Sequence, residues 1–386
     1  MKLHPVIKQL ILIGSLILIF GILMIFRYNS ELCDFFVRYI STNYMMIQNT
    51  LFWWLPWTIY ELTILFGVIF TIYQLVVSII SLLKKEYLDS LYKFLTIVIF
   101  FAICVDMYVF SAAMAYGRSE APIPQYQGEV NEKLHDDTIE YFLNDYNYVA
   151  SKFTYKEDGL INCPYSLRDI NELLKEEYKR LESTYYNPFT SNAKTLVTSD
   201  LFSELKFSGI NWGPSGETMI NYNLQDVEIP HTLAHELAHN KGIYREDEAN
   251  LVAIYILITS ENEFLRYAGY YSGFLSLCQI YALEDYNRYA DTYFKLNENI
   301  RNEYGVISKY WNERIDIIGK IGQWYNDWFL KLNGNQNGTD DYIDEGESED
   351  TGETDNNDRP IYKVTSYSPY QKVFIQEFIR KTNYVI

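Results

Sequence analysis

The chain has 386 residues, of which 50 are acidic and 32 are basic, so its formal net charge is −18. This negative charge argues against binding to nucleic acid and to anionic membrane surfaces, because both interactions depend on positive charge. Hydrophobic residues make up 48% of the chain, yet the mean hydropathy is slightly negative. The two values together indicate an apolar part and a separate polar part.

The apolar part is the N-terminal segment, residues 1–117, which contains three long apolar stretches. They cover about residues 7–26, 62–83 and 94–116. Each is long enough to cross a bilayer as a helix, which takes about 20 residues. No small-residue cleavage site follows the first stretch, so we interpret it as an uncleaved anchor rather than a signal peptide. The sequence predicts a multi-pass membrane anchor with the lipid bilayer as its partner.

Basic residues in the short segments outside the predicted spans indicate the orientation of the anchor. Lys2 and Lys8 flank the first span, and Lys84, Lys85 and Lys93 follow the second. Short loops that are rich in Lys and Arg stay on the cytoplasmic side. We therefore expect a protein of the cell membrane whose residues after 117 form an extracytoplasmic domain.

The polar part begins with a predicted domain over residues 118–332, whose pattern is mainly helical with a small sheet. Helical patterns cover 129–156, 166–184, 200–205, 279–299 and 306–332, and strand patterns cover 194–199 and 217–223. Cys163 and Cys278 are the only cysteines in this domain and could form one disulfide. No C-x-x-C pair occurs, which argues against a cysteine zinc site.

Two segments follow that domain. Residues 333–358 hold ten Asp or Glu and no Lys or Arg, which predicts a disordered acidic insertion. Residues 359–386 return to Tyr, Ile, Val and Phe. We expect this C-terminal segment to pack on the preceding domain.

The motif that carries chemistry is His235-Glu236-Leu237-Ala238-His239, an instance of H-E-x-x-H. Residues four apart share a helix face, so His235 and His239 can bind one metal ion. Glu236 would lie beside that ion and act as general base and then general acid on a metal-bound water. Zn²⁺ suits such a site because it accepts imidazole and carboxylate ligands and keeps a position open.

The third ligand is predicted on a second helix, which follows the turn at Gly242. Glu246 is the preferred candidate and Glu248 the alternative; about 200° of helix separates them, so both cannot face the ion. Asn250 shares a face with Glu246 and could support a ligating histidine through the other ring nitrogen. The E-x-x-A-N order at 246–250 resembles the second-helix signature of gluzincin metallopeptidases.

Further site residues are expected around the motif. In zincin folds an edge strand ahead of the active helix pairs with an extended substrate, and residues 217–223, through Glu217, Met219 and Asn221, are the candidate strand. An internal strand without substrate contact is equally compatible with the pattern. Tyr267 and Tyr271 are candidate donors to the oxyanion of the transition state, although packing is the commoner role of a tyrosine.

The longer run PHTLAHELAHNKGIYREDEANLVA, with the upstream YNPFT and SGETMIN and the downstream RYAGYYSGFL, resembles a bacterial group. That group is domain-of-unknown-function family 3810, and the resemblance is specific over about residues 185–275. It implies a multi-span membrane protein with metallopeptidase chemistry, and the acidic insertion departs from the family pattern. The resemblance implies nothing about the substrate.

Together these observations predict a mainly α fold, with three N-terminal transmembrane helices and a zincin-like α+β domain that contains a small sheet. The predicted function is a membrane-anchored zinc metallopeptidase that acts on a peptide or protein substrate. Two alternatives stay open at this point: an inactive zinc-binding sensor or assembly factor, and a zinc amidase that acts on a cell-wall component.

Overall fold

The computed structural model describes residues 4–181, 183, 185–314, 317–333 and 346–384. Over these residues the fold is mainly helical with two small sheets, as predicted. The helices are α1 (Pro5–Arg27), α2 (Ser30–Phe36), α3 (Thr42–Phe52), α4 (Ile59–Leu83), α5 (Tyr87–Ser111), α6 (Glu132–Ala150), α7 (Leu167–Lys179), α8 (Ser199–Glu204), α9 (Glu228–Asn240), α10 (Glu246–Ile258), α11 (Glu263–Leu277), α12 (Gln279–Glu284), α13 (Tyr286–Phe294), α14 (Glu298–Asn312), α15 (Ile317–Leu332) and α16 (Pro369–Thr382). The strands are β1 (Ala193–Thr195), β2 (Gly209–Trp212), β3 (Glu217–Ile220), β4 (Glu347–Thr354) and β5 (Pro360–Ser366).

Three helices, α1, α4 and α5, are long and apolar enough to cross a membrane, and they fit a membrane protein. Gln9 near the start of α1 donates to the Tyr92 carbonyl at 3.1 Å and to Thr96 at 2.9 Å, both near the start of α5. These two helices therefore run parallel, and α5 packs between α1 and the antiparallel α4, from which a tight turn leads into it. The C-terminal ends of α1 and α5 and the N-terminal end of α4 share one side.

The third span differs from its prediction at both ends. Its helix begins at Tyr87, and the residues from Ala113 to Gly117 form a 3-10 turn instead of continuing it. The early start places Lys93 within α5, where its ammonium pairs with Asp89 one turn earlier at 2.6 Å. The predicted basic loop is thus a turn that carries Lys84 and Lys85, and Lys93 is helical.

The segment between the first two spans holds α2, a π-helical turn (Val37–Ser41) and α3, which pack against the polar part of the chain. The Asp34 carboxylate pairs with the buried Arg118 guanidinium at 2.9 Å, and Arg118 also donates to the Gly242 carbonyl at 3.2 Å. Asn49 of α3 donates to the Gly216 carbonyl at 3.2 Å. Membrane part and polar part are therefore joined by buried polar contacts, not only by the chain at 117–118.

One hydrophobic core holds the polar part together, and it is built on α6, α9, α10, α11 and α16. From α16 it contains the rings of Phe374 and Phe378 together with Val373 and Ile375. Phe374 packs edge-on against Phe142 of α6, with ring centroids 4.9 Å apart. The C-terminal helix is thus part of the same core as the two helices that follow the central sheet.

The central sheet has the order β1-β3-β2, with β1 parallel and β2 antiparallel to the middle strand. Glu217–Ile220 is therefore the middle strand and is buried along its length. The prediction of a substrate-binding edge at 217–223 is wrong, because strands occupy both sides of β3. The edge on the α9 side is β2, in a Gly-rich and Pro-rich stretch that the sequence pattern does not identify as a strand.

The acidic segment is partly ordered, which corrects the prediction of a disordered insertion at 333–358. Glu347–Thr354 pairs as an antiparallel hairpin with Pro360–Ser366, and the cross-strand partners include Glu349 with Lys363. Glu349 and Lys363 carry opposite charges, and such a cross-strand pair favours the hairpin although β4 is exposed along its length. The rest of the predicted insertion, residues 334–345, lies outside the described residues.

Candidate metal centre

The helix α9 is buried along its second half and carries His235, Glu236 and His239. It ends at Asn240, and Gly242 follows two residues later with a φ of +82°, which suits a residue without a Cβ atom. This left-handed turn brings the Ile243 carbonyl oxygen back to 2.7 Å from Nδ1 of His239. The ring is thereby held with Nε2 as its free nitrogen.

The first histidine is oriented in the same way by the second helix. Nδ1 of His235 lies 2.7 Å from the side-chain oxygen of Asn250 on α10. Asn250 therefore occupies the supporting position that its spacing from Glu246 predicts. Histidines that bind metals usually donate the other ring N–H to an oxygen, which fixes the tautomer and the ring orientation.

The third candidate ligand is Glu246, the first residue of α10. Its Oε2 atom lies 2.9 Å from Nε2 of His235. The ligand atoms of His235, His239 and Glu246 all lie within 4.8 Å of one another, and all three residues are buried. Within the described part of the chain no other group of metal-ligating side chains converges in this way.

The alternative ligand Glu248 faces away from this group. Its carboxylate pairs with the Arg245 guanidinium and accepts the Ala121 backbone N–H at 3.1 Å. These two contacts hold the start of α10 against the segment around Ala121, which follows the third apolar helix. Geometry favours Glu246 over Glu248.

The remaining acidic group of the motif, Glu236, has a buried oxygen without a hydrogen-bond partner among the described residues. This Oε2 atom lies 3.9 Å from Nε2 of His239, within the ligand group. Burial raises the pKa of the Glu236 carboxyl to about 8, although the neighbouring His235 opposes the shift. A buried carboxylate oxygen without a hydrogen-bond partner destabilises the folded protein, unless a bound ion or ligand pairs with that oxygen.

The histidine pKa values reflect the same environment. Burial lowers the pKa of His239 to about 4. Burial also lowers that of His235, but the hydrogen bond and charge of Glu246 outweigh it and raise the pKa to about 9. In the protein alone, His235 and Glu246 thus form an ion pair that holds a proton between two candidate ligand atoms.

The three candidate ligands and Glu236 open onto a cavity of about 560 Å³. All four residues of β2 line it, so the cavity follows the strand edge. Tyr244 also lines it: its ring stacks on His239 with centroids 4.8 Å apart, and its hydroxyl donates to Asn211 of β2 at 2.9 Å. Asn211 in turn donates to the Glu236 carbonyl at 3.2 Å. The strand edge and the motif helix are thereby held in register.

The residues predicted on the substrate strand do not line this cavity. Glu217 accepts the Ile59 backbone N–H at 2.8 Å and the Lys194 ammonium at 2.7 Å, so it stabilises the first turn of the span α4. Asn221 donates to Ser203 at 2.9 Å, and Met219 packs in a small core beneath the sheet. All three side chains contact other parts of the fold and not the cavity, because Glu217 and Met219 lie in the middle strand and Asn221 directly follows it.

The two tyrosines predicted as transition-state donors also lie elsewhere. Tyr267 is fully buried and donates to the Glu303 carboxylate at 2.5 Å. Tyr271 stacks on Tyr304, with ring centroids 4.6 Å apart, and lines a different cavity. Their predicted role fails because α11 packs behind the motif helix.

Several residues of the cavity wall carry no signal in the sequence that links them to the motif. Tyr108 and Tyr116 come from the end of α5 and the turn after it, and α15 contributes several aromatic side chains. A signal was present for α15, since apolar residues recur there at helical spacing. No comparable local signal places Tyr244 or Asn211 at the site.

The model of one sequence family, described as “Protein of unknown function (DUF3810)”, matches residues 36–344, which is more than half of the chain. The chain belongs to this family. The match includes all of α9 and α10 of this DUF3810 member, and with them every candidate ligand. No curated protein and no solved structure matches this DUF3810 member. Its family description states no activity, so chemistry is inferred from the site.

Proposed function

We propose that this protein is a membrane-anchored zinc-dependent metallopeptidase with a zincin-like, gluzincin-type domain. His235, His239 and Glu246 would hold the zinc ion, and Glu236 would be the general base and general acid. The observation that carries the proposal is the unpaired, buried Glu236 oxygen within a group of three converging ligand atoms. This group lies beside a strand edge in one cavity.

The donor set fits zinc. Two imidazole nitrogens and one carboxylate are ligands that catalytic zinc sites use, and they leave a fourth position open. Asn250 and the Ile243 carbonyl hold the two rings by their other nitrogens. Bound zinc would polarise the scissile carbonyl and lower the pKa of a bound water to about 7.

The protein groups around the ligands have separate tasks in this proposal. Glu236 would take a proton from the attacking water at Oε2 and pass it to the leaving amine. The outer edge of β2 would pair with an extended polypeptide by strand addition. Gly209–Trp212 replaces the predicted strand 217–223 in that role.

The β2 edge also bears on the two alternatives. A zinc amidase that acts on a cell-wall component would use the same ligands but would not need a strand edge along its cavity. A zinc-binding sensor or assembly factor would have no use for a buried, unpaired carboxylate next to the metal. Both features therefore support peptide hydrolysis.

The arrangement of the spans supports the expected orientation. Lys8, Lys84 and Lys85 lie at the membrane end opposite the side where the polar part is attached. Basic residues of this kind mark the cytoplasmic side, so the proposed multi-pass protein carries its peptidase domain outside the cytoplasm.

The experiment that tests the proposal measures metal content and cleavage on the full chain in detergent, because buried contacts join the two parts. We expect one zinc per chain in the wild type and in Glu248→Gln, and loss of zinc in Glu246→Gln. The zinc-loaded wild type is then incubated with a mixed peptide library and products are read by mass spectrometry. A chelator should stop cleavage. A wild-type protein that takes up no zinc when it is supplied would overturn the proposal.

A further inference from the structure

The helix α15 exposes a continuous apolar face. Six of its large side chains have relative exposures between 47% and 77%: Ile317, Ile321, Trp324, Tyr325, Trp328 and Leu332. These positions recur every three or four residues, so they form one side of the helix. The opposite, glycine-bearing side packs against the end of α8, where a Cβ atom on Gly322 would lie 2.3 Å from the Leu205 carbonyl oxygen and one on Gly319 3.4 Å from that of Glu204.

The C-terminal end of α15 is fastened to the ends of two membrane spans. The Tyr108 hydroxyl, near the end of α5, donates to the Asn333 side-chain oxygen at 2.9 Å. The Tyr108 and Phe329 ring centroids are 5.7 Å apart. Arg27, the last residue of α1, donates to the Asn333 carbonyl oxygen. The C-terminal end of α15 therefore lies at the level where α1 and α5 end.

The chemistry of this face fits the membrane interface. Trp and Tyr are enriched at the level of the lipid headgroups, and Trp324, Tyr325 and Trp328 supply three such rings. Lys320 and Lys331 lie on one flank of the apolar face, where their ammonium groups can reach the aqueous side. An amphipathic helix of this composition binds in the plane of the interface, with its apolar side towards the acyl chains.

The same helix forms a wall of the proposed active site. Part of the apolar face itself, through Ile321, Trp324 and Tyr325, lines the cavity that holds the candidate ligands. Tyr108 and Tyr116, at the end of a span, line it beside them. The cavity therefore adjoins the level at which the spans leave the bilayer.

We infer that α15 lies in the membrane interface and that the site takes a polypeptide segment of a membrane-embedded protein, close to the point where that segment leaves the bilayer. The substrate class rests on the proposed peptidase function, whereas the position of α15 does not. A partner protein on the α15 face is the competing occupant, and the first experiment below distinguishes it from lipid.

The first experiment measures the contact of α15 with lipid through tryptophan fluorescence. The full chain, with Trp53, Trp54, Trp57 and Trp212 replaced by Phe, is reconstituted in phosphatidylcholine vesicles with or without acyl chains brominated near the headgroup. Bromine quenches the emission of tryptophans that touch the lipid. We expect clear quenching that is lost when Trp324 and Trp328 are also replaced by Phe.

The matched control replaces Trp311 instead, and there the quenching should stay. Trp311 lies outside the α15 face, and its indole N–H donates to Glu228 at 2.7 Å. Absence of quenching in the vesicle-reconstituted chain, or quenching that survives the loss of Trp324 and Trp328, would overturn the interfacial position. A protein partner would then be the occupant of the face.

The second experiment tests the substrate class with a photoreactive benzoylphenylalanine at position 325, in the cavity wall. The probes are a single-span polyleucine peptide with a polar tail and the tail alone, both added to the reconstituted vesicles. The control places the label at position 28, which follows α1 and is 90% exposed. We expect crosslinking of the spanning peptide at position 325 to exceed that at position 28, and that of the free tail, by about tenfold.

Equal crosslinking at the two positions, or of the two peptides, would overturn the substrate class. Neither readout requires catalysis or bound metal. If the protein binds no zinc but shows the quenching and the crosslinking, the peptidase proposal is wrong and the site is a binding site at the membrane interface. If it is a zinc enzyme without quenching and crosslinking, the proposed peptidase acts on a soluble substrate.

Discussion

Gly209 of β2 lies against Glu236 so closely that a Cβ atom at position 209 would be 2.8 Å from Oε1 of the carboxylate. It would also be 3.0 Å from the Met219 carbonyl oxygen on the middle strand. The strand edge and the proposed general base are therefore positioned by one close approach that only glycine allows. The proposed substrate strand and the proposed catalytic carboxylate are coupled through this contact.

Gly209→Ala should consequently displace the Glu236 carboxylate while the three metal ligands stay in place. We expect zinc content to be unchanged and the rate of peptide cleavage to fall by about a hundredfold, since misplacement by about 1 Å costs that much. Gly305→Ala is the matched control, because a Cβ atom there meets nothing within 4 Å. Full activity in Gly209→Ala would contradict the coupling.

Glu236→Gln tests the role of the carboxylate itself. The amide keeps the shape of the side chain but cannot accept a proton, so the cleavage rate should fall by about 10² to 10⁴-fold. Zinc content should stay at the wild-type value, since Glu236 is not among the converging ligands. Zinc analysis and a cleavage assay on the same preparation measure both quantities. Retained cleavage would remove Glu236 from the mechanism.

Asn250 supports His235 through a 2.7 Å contact with Nδ1, and its replacement should weaken metal binding without removing a ligand. We expect Asn250→Ala to lower zinc affinity by about 10 to 100-fold, which is typical for a lost support of a ligating histidine. Asn250→Asp restores an acceptor oxygen and should recover the affinity. Competition with a chromophoric chelator measures both variants, and an unchanged affinity in Asn250→Ala would show that the contact is dispensable.

Local spacing was sufficient to predict the parts of the structure that depend on one or two neighbouring helices. The i, i+4 spacing of His235 and His239, the left-handed turn at Gly242 and the shared face of Glu246 and Asn250 all follow from helix geometry. Hydropathy alone located the three apolar helices, because crossing a bilayer requires about 20 apolar residues in a row.

Strand order and the origin of the cavity walls could not be predicted in this way. Glu217–Ile220 is the middle strand and Gly209–Trp212 is the edge strand. Only the pairing in three dimensions decides this order. Tyr267 is close to the motif in sequence but lies behind its helix, whereas Tyr108 is remote in sequence and lines the cavity. Such long-range packing leaves no periodic signal in one chain.

The hydrogen bond between Tyr267 and Glu303 leads to a prediction about the stability of the fold. Its hydroxyl donates to Oε2 of Glu303 at 2.5 Å, and the Ile161 backbone N–H donates to Oε1 at 2.9 Å. Glu303 is fully buried from solvent. Burial raises the pKa of its carboxyl to about 7, although both hydrogen bonds favour the charged form and oppose the shift.

A carboxyl whose pKa is higher in the folded state binds more protons there than in the unfolded chain. Its contribution to stability is complete below the unfolded value, about 4.3, and is lost as the pH rises towards the folded pKa of about 7. The melting temperature of the full chain in detergent should therefore fall between pH 5 and pH 7 by more in the wild type than in Glu303→Gln. Glu303→Gln keeps the side-chain shape but cannot titrate, and Glu298→Gln, at an exposed position of the same helix, is the control that should follow the wild type. Parallel melting curves for wild type and Glu303→Gln across this range would show that Glu303 does not titrate there.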